Sequence, residues 1–417
     1  MSRNAFNDPG TSMPKEDQTT VPPTIRWSFD ELDELSLDPV IQGCLESPTW
    51  RRIQLPHGTE EAWLAGRYAD VCEVARDQQR FSREALAGRS VSRTSPHIIP
   101  MPGAPSLADT PAHDRLRHAV KSSLHPNRIE RLRPRTEAMA HRMLEAMEGS
   151  GSPADLMDHF IKPLALAGIC DLIGIPEADR ESTAAWSELT ITARQTFERS
   201  EQAKAELGAL LDKLAVSRID DPRDDVLSGL VEAETSGTLS RSELVGVAAQ
   251  LLTTGYLSWY RTNATMVYIV LTRPDLFARL CVDPEVLPGA VEELLRWMPQ
   301  RNAVGIPRIA TEDVSLGGVE VGEGEPVYVS WLAANRDPAV FERPDELDFD
   351  RSPNPHLAFG YGVHHCMGAS FARMESQVLL RALTERLPRL HLAVPAHEIK
   401  WQLGEVIRGP QTLPVAW

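Results

Sequence analysis

The stretch HLAFGYGVHHCMGASFARMES, residues 356–376, decides the fold. Gly360, Gly362 and Gly368 permit a tight turn and a close approach of backbone to a flat ligand. Cys366 ends that turn, and the apolar spacing of ASFARMESQVLLRALTERL predicts a helix directly after it. The thiol therefore precedes a helix N-terminus, where the dipole and unbonded backbone N–H groups favour thiolate. A closed zinc site would need four N or S ligands. No second cysteine lies near, and the adjacent His364 and His365 could hardly both join Cys366 on one ion. A cysteine nucleophile needs a base, which either histidine can supply. Neither reading accounts for Phe359 and the glycines that bracket the turn.

A third reading does. Phe359-Gly-x-Gly-x-His-x-Cys366-x-Gly368 resembles the haem-binding signature of the cytochromes P450, with every fixed position filled. The resemblance implies a mainly α fold, a large helical domain with a small β-rich region. It also implies haem b (iron protoporphyrin IX) with Cys366 as the metal ligand, Phe359, Gly360 and Gly368 around the ring, and His364 at a propionate. Other landmarks of the family occur in order. Glu293 and Arg296 in VEELLRWMP are spaced i,i+3 and share a helix face. They resemble the family's buried E-x-x-R pair, a structural element for folding and haem incorporation, with Arg351 as a third member. His113 and Arg117 in PAHDRLRHAV and Arg308 in IPRIATEDV each resemble a propionate ligand at its position.

Composition agrees with a soluble enzyme. The 417 residues are 42% hydrophobic and 24% charged, with a formal net charge of −16. That balance argues against a nucleic-acid or anionic-membrane binder, which needs an extensive cationic face. Residues 1–26 lack the apolar core of a signal peptide or anchor and read as a mobile leader in a cytoplasmic protein. Residues 27–417 read as a single haem-thiolate domain. Cys44, Cys72, Cys170 and Cys281 are scattered, as expected in a reducing compartment, and read as small buried hydrophobes.

Most of the chain before Pro299 has helical spacing, including VCEVARDQQRFSRE, HDRLRHAVKSSL, RIERLRPRTEAMAHRMLEAMEG and EQAKAELGALLDKLAVSRI. Strand patterns are confined to WRRIQLP, VSLGGVEVGEGEPVYVSW and the closing LPVAW. Ser240 and Glu243 have the form of a capping box at the start of the longest helix, which runs toward Pro274 with Gly255 near its centre. Gly255 is expected to open room on one face for something other than a side chain. From His113 to Arg135, seven cations (Arg115, Arg117, Lys121, Arg128, Arg131, Arg133, Arg135) oppose Asp114 and Glu130. In the family that region borders the face where an acidic ferredoxin docks, so ferredoxin and a ferredoxin reductase are the expected electron donors.

A cysteinate ligand pushes electron density onto iron and favours O–O cleavage. The resemblance thus implies reductive activation of dioxygen and hydrogen abstraction from a bound small molecule. On the long helix the family usually carries Ala-Gly-x-Asp/Glu-Thr, the acid and alcohol relaying protons. Here the matching residues are Thr254-Gly255-Tyr256-Leu257-Ser258, so the acid is missing and the candidate catalytic residues are Thr254, Gly255 and Ser258. That departure and the tail HLAVPAHEIKW…LPVAW resemble actinobacterial members that couple aromatic cyclic dipeptides. A secondary-metabolic oxidase forming C–C or C–N bonds on a Trp- or Tyr-containing cyclic dipeptide is one expectation. An ordinary hydroxylase of a small apolar natural product, and a non-catalytic haem sensor or carrier, are the alternatives. The expected pocket is apolar and draws on residues 85–107, the face around Leu251, Thr254 and Ser258, Asn302 to Gly305, and Glu405-Val406-Ile407.

Overall fold

The computed structural model describes residues 23–28, 32, 34–47, 49–95, 100–192, 195–299, 305–402, 405 and 407–417. Its frame is the central helix Arg241–Leu271, 31 residues long, which spans roughly 46 Å at 1.5 Å per residue. The Ser240 hydroxyl accepts from the Glu243 N–H at 3.3 Å, and the Glu243 carboxylate accepts from the Ser240 N–H at 2.8 Å. This reciprocal cap satisfies two N–H groups that the first turn leaves unbonded. Beyond Leu244 the helix is apolar on nearly every side and is buried accordingly. Helices Lys162–Ile173, Arg180–Ile191, Phe197–Asp220 and Val226–Thr235 pack around it, and Pro126–Ser150 lies along Ala369–Arg386. No described helix is long and apolar enough to cross a membrane.

The β region is a six-stranded sheet in the order Ile25–Arg26, Arg51–Gln54, Ala62–Ala65, Pro326–Val329, Arg308–Ala310, Phe81–Ser82. Its central strands Ala62–Ala65 and Pro326–Val329 run parallel and are buried on both faces, so they are apolar throughout instead of alternating. Gly317 and Gly318, at φ +62° and +75°, turn the hairpin Val314–Leu316/Val319–Val321, a conformation that favours glycine. Pro414–Ala416 pairs with His391–Leu392 and with Ala154–Asp155.

Two expectations change. The sequence reads as a leader over 1–26, yet Ile25–Arg26 is already the edge strand of the sheet, paired in parallel with Ile53–Gln54; residues 1–22 lie outside the described residues. The helix expected through VCEVARDQQRFSRE ends at Arg76. The Asp77 carboxylate accepts from the N–H groups of Gln79 and Arg80, each at 3.0 Å, which diverts the backbone into a turn. Phe81–Ser82 then joins the sheet beside Ile309–Ala310.

Glu293 and Arg296, both 0% exposed, lie on the helix Leu287–Trp297. Arg296 donates to Glu293 at 2.8 and 2.7 Å and to the carbonyls of Asn335, Pro344 and Glu346 at 3.0, 2.7 and 2.9 Å. Glu293 also accepts from Arg351 Nε at 3.1 Å, the Asp348 N–H at 3.0 Å and Asn354 Nδ2 at 3.2 Å. The cluster ties the irregular chain 335–354 to that helix. Glu293→Ala would leave two guanidinium groups facing each other without their carboxylate, at an expected cost of about 3–5 kcal/mol. Chemical denaturation should show that loss, and Glu293→Gln should lose less because it keeps acceptor and volume.

Candidate active site

The cysteine turn is built by its backbone. The Cys366 N–H donates to the Phe359 carbonyl at 2.8 Å, and Gly360 and Gly362 adopt φ +77° and +70°. A Cβ on Gly362 would stand 2.6 Å from the Ala75 carbonyl, so this glycine lets the turn press against the helix Tyr68–Arg76. Around Gly368 there is open space instead, and the helix Ala369–Arg386 begins at the next residue. Phe359 is braced by the Arg373 guanidinium, 4.4 Å above its ring. Arg373 is anchored in turn on Glu292 at 2.8 and 2.9 Å. Burial pushes the Glu292 carboxyl up, but bonds from His356 and Arg373 outweigh it and hold the group down at about 2. Glu292 is a supporting residue that the motif does not contain.

One edge of the cavity above this turn is basic. His113 and Arg117, on the helix Ala112–Lys121, and His364, from the turn, line that edge, and Arg308, from its strand, is close enough for its charge to act on His364. The His113 and His364 rings are 4.3 Å apart, and Arg117 Nη1 donates to the His365 carbonyl at 2.6 Å. His113 Nδ1, His364 Nε2 and both terminal nitrogens of Arg308 are buried with no hydrogen-bond partner among the described residues. Burial, then the charge of Arg117, lowers the pKa of His113. Burial, then Arg83, His113, Arg308 and Arg117, lowers that of His364. Burial lowers Arg308 from the ordinary guanidinium range to about 10, more than the attraction of Asp109 raises it. Such a cluster is costly alone and favourable around an anion.

The central helix forms the opposite wall. Thr254, Gly255 and Ser258 line the same cavity as Phe359, Gly360, Cys366 and Gly368. Thr254 Oγ1 donates to the Gln250 carbonyl at 2.6 Å. Leu257 is 0% exposed and belongs to the apolar core, so the position of the absent acid faces away from the cavity wall. The room expected on one face of Gly255 is filled by a side chain: a Cβ there would meet Ile169 Cδ1 at 2.7 Å. Close contact of two helices accounts for this glycine.

Several residues of the site were not singled out from the sequence. Arg83 lines the cavity and a neighbouring one, and lay in a segment expected to be helical. Trp259 Nε1 and Asn263 Oδ1 are buried, without partners among the described residues, in residues that line the cysteine cavity. Arg261, 3% exposed inside an apolar helix, donates to the Ile407 carbonyl at 3.0 Å and lies 3.6 Å from Glu405. Its charge in the run YLSWYRTNATMVYIV was the available signal.

The neighbouring cavity, of about 610 Å3, shares Thr254 and Ser258 and includes Ile407 and much of 83–107. Of the expected pocket, residues 96–99, 302–304 and 406 lie outside the described residues. The wall is mostly apolar, and Arg83, Arg89, Arg93 and Lys204 also line it. The basic run carries several local ion pairs. Arg115 pairs with Glu243, Arg128 with Asp224, Arg133 with Glu130 and Arg135 with Asp171. These arginines are occupied within the fold, whereas Lys121 and Arg131 are exposed around a concavity with His118 and His125. Of the other cysteines, Cys44 and Cys170 are buried, while Cys72 and Cys281 are only partly so. No cluster of three or more metal-ligating side chains occurs among the described residues.

The residues fit a flat group with two carboxylates: a glycine-lined cavity floored by a thiol and edged by orphaned basic atoms. Comparison with known proteins leads to the same class. The family model "Cytochrome P450" matches residues 283–392. The biflaviolin synthase of Streptomyces coelicolor is 41% identical over 397 residues, covering 95% of this chain and 97% of its own. The mycinamicin IV hydroxylase/epoxidase of Micromonospora griseorubida is 41% identical, over 94% of this chain and 98% of its own. The crystal structure of a cytochrome P450 with biaryl coupling reactivity superposes with a TM-score of 0.91 at 41% identity, covering 95% of this chain and 100% of the other.

The chain belongs to the cytochrome P450 family. It is a bacterial P450 monooxygenase of secondary metabolism, and its cofactor is haem b. Arg308→Met should act with opposite signs on the two forms of the protein. It removes a buried cation whose terminal nitrogens have no hydrogen-bond partner among the described residues, so the haem-free chain should resist denaturant better. Loss of a charge-assisted contact of about 1.5–3 kcal/mol should make haem leave for apomyoglobin about 10 to 100 times faster.

Proposed function

We propose that this P450 couples aromatic rings oxidatively. In this reading the Cys366 thiolate would hold the haem iron, His113, Arg117, Arg308 and His364 would hold the haem carboxylates, and Thr254, Gly255 and Ser258 line the same cavity on the central helix. The haem supplies dioxygen activation and oxidation of the bound substrate. The protein's part is to position the reacting ring, exclude water and pass protons.

The observation that carries this reading is the distal helix. Leu257 cannot transfer a proton and packs in the core, so Ser258 is the hydroxyl left at the matched positions that also lines the cavity. Thr254 spends its proton on the Gln250 carbonyl. A helix with so little proton-relay chemistry suits a substrate that contributes an abstractable phenol O–H or indole N–H hydrogen. Two similar proteins, a biflaviolin synthase and a cytochrome P450 with biaryl coupling reactivity, support the same choice. A Trp- or Tyr-containing cyclic dipeptide is the substrate suggested by the C-terminal resemblance. Part of that tail is structural, with Pro414–Ala416 inside a three-stranded sheet. Hydroxylation is the second reading, favoured by the similarity to a mycinamicin hydroxylase/epoxidase.

Product mass separates the two. Incubation of the reconstituted enzyme with cyclo-(Trp-Tyr) and with simple phenols should yield dimers or products lighter by two hydrogens, and exclusive gain of one oxygen would make the enzyme a hydroxylase. Electron supply is assigned to an acidic ferredoxin, with a ferredoxin reductase behind it, docking at the concavity of His118, Lys121, His125 and Arg131. Lys121→Glu should slow ferredoxin-dependent reduction several-fold at low salt and lose that effect at high salt. Arg128, which lines the same concavity while paired with Asp224, should give a smaller salt-sensitive effect on charge reversal.

A further inference from the structure

The wall of the 610 Å3 cavity carries four cationic side chains, Arg83, Arg89, Arg93 and Lys204, and Glu84 is the single carboxylate among the described residues that line it. Two of the cations are neutralised locally. Arg89 pairs with Glu60 at 2.7 Å, and Lys204 pairs with Glu201 at 2.7 Å. Arg83 sits where the two cavities meet, acts on His364, and donates through Nη1 to the Ser106 carbonyl at 3.2 Å. It is therefore accounted for by the cofactor edge. Arg93 is not. Its Nη2 donates to the Arg89 carbonyl at 3.2 Å, and no carboxylate among the described residues lies within ion-pairing distance of it.

Arg93 is also held rigidly. Its backbone exchanges hydrogen bonds with His57, at 3.0 and 2.5 Å. Gly58, at φ +105°, lies so close that a Cβ there would stand 2.7 Å from Ser92 Cα. Tyr328, whose hydroxyl donates to the Ser92 carbonyl at 2.7 Å, lines the same wall and feels the charge of Arg93. A pre-placed guanidinium offers a planar fork with donors to spare, and loses little freedom when it pairs. Beside apolar wall residues such as Leu55, Leu86 and Leu107, such a cation gains most from an anionic oxygen brought in by a ligand.

We propose that the cavity takes an aromatic substrate bearing an acidic oxygen function, an ionised phenol, enol or carboxylate, and that Arg93 pairs with that oxygen while the ring extends toward Thr254 and Ser258. The inference rests on the aromatic substrate of the proposed function and adds the charge. It also ranks acidic aromatics above neutral cyclic dipeptides.

Binding to the haem-loaded enzyme, followed by the haem spin-state shift, tests it with two pairs of probes. These are 2-naphthoate against 2-naphthamide, and 4-hydroxycoumarin, an enol ionised at neutral pH, against coumarin. The first pair probes a carboxylate and the second an enolate. In at least one pair the anion should bind about tenfold or more tightly than its neutral partner. Arg93→Gln should abolish that preference while leaving the neutral affinity within about twofold, and Arg93→Lys should retain part of it. Equal binding of anion and neutral in both pairs, or a preference that survives Arg93→Gln, would overturn the proposal. Should Arg93→Gln fail to load haem, the wild-type pairs and Arg93→Lys still decide. Product mass keeps the two ideas apart: anion-selective binding with oxygenated products overturns coupling alone, and coupling without anion selectivity overturns the Arg93 anchor alone.

Discussion

Burying Arg308 beside His113 and His364 is the constraint on which the site depends. A guanidinium at 1% exposure, with both terminal nitrogens lacking hydrogen-bond partners among the described residues, is unfavourable in the protein by itself. Its neighbours add imidazoles whose charged forms are suppressed by the same burial. The arrangement becomes favourable when a dianionic cofactor edge arrives, so folding and haem binding are coupled through this charge. The Glu293, Arg296 and Arg351 cluster solves the comparable problem internally, with the carboxylate already in place. One buried charge cluster is complete and the other requires its cofactor.

The two sides of the cavity divide the chemistry. On the cysteine side, backbone geometry is over-determined: positive φ at Gly360 and Gly362, the Cys366 bond to the Phe359 carbonyl, and Phe359 held under Arg373 and Glu292. On the helix side the wall is permissive, with a serine and a threonine and the acid position turned into the core. The rigid half sets which oxidant is available. The permissive half leaves the outcome to the substrate, which makes the charge and shape of the adjoining cavity the main determinants of what is made.

Much of this was legible in the sequence, for a local reason. The turn around Cys366 needs glycine where φ is positive, and the cap at Ser240 and Glu243 needs those side chains at that spacing, so both leave marks within a few residues. Arg83 and Glu292 left no such mark, and Arg261 left only its charge in an apolar run, because each acquires its role from partners far along the chain. The same cause hides the ion pairs of the basic run. Arg115 and Arg128 look like solvated charge in a basic run, yet their partners Glu243 and Asp224 arrive from distant segments. Gly255 likewise owes its smallness to Ile169, 86 positions before it and visible only once two helices are packed.

The most direct test is the absorption spectrum of the reduced, carbon-monoxide-bound enzyme, compared with that of Cys366→His. With Cys366 as thiolate ligand, the wild type must show its main band at the long-wavelength position of a thiolate-bound haem, and Cys366→His must move it to the short-wavelength position of an imidazole-bound one. A wild-type band already at the short-wavelength position, unchanged by the substitution, would contradict the assignment of Cys366 and the division of the site that follows from it.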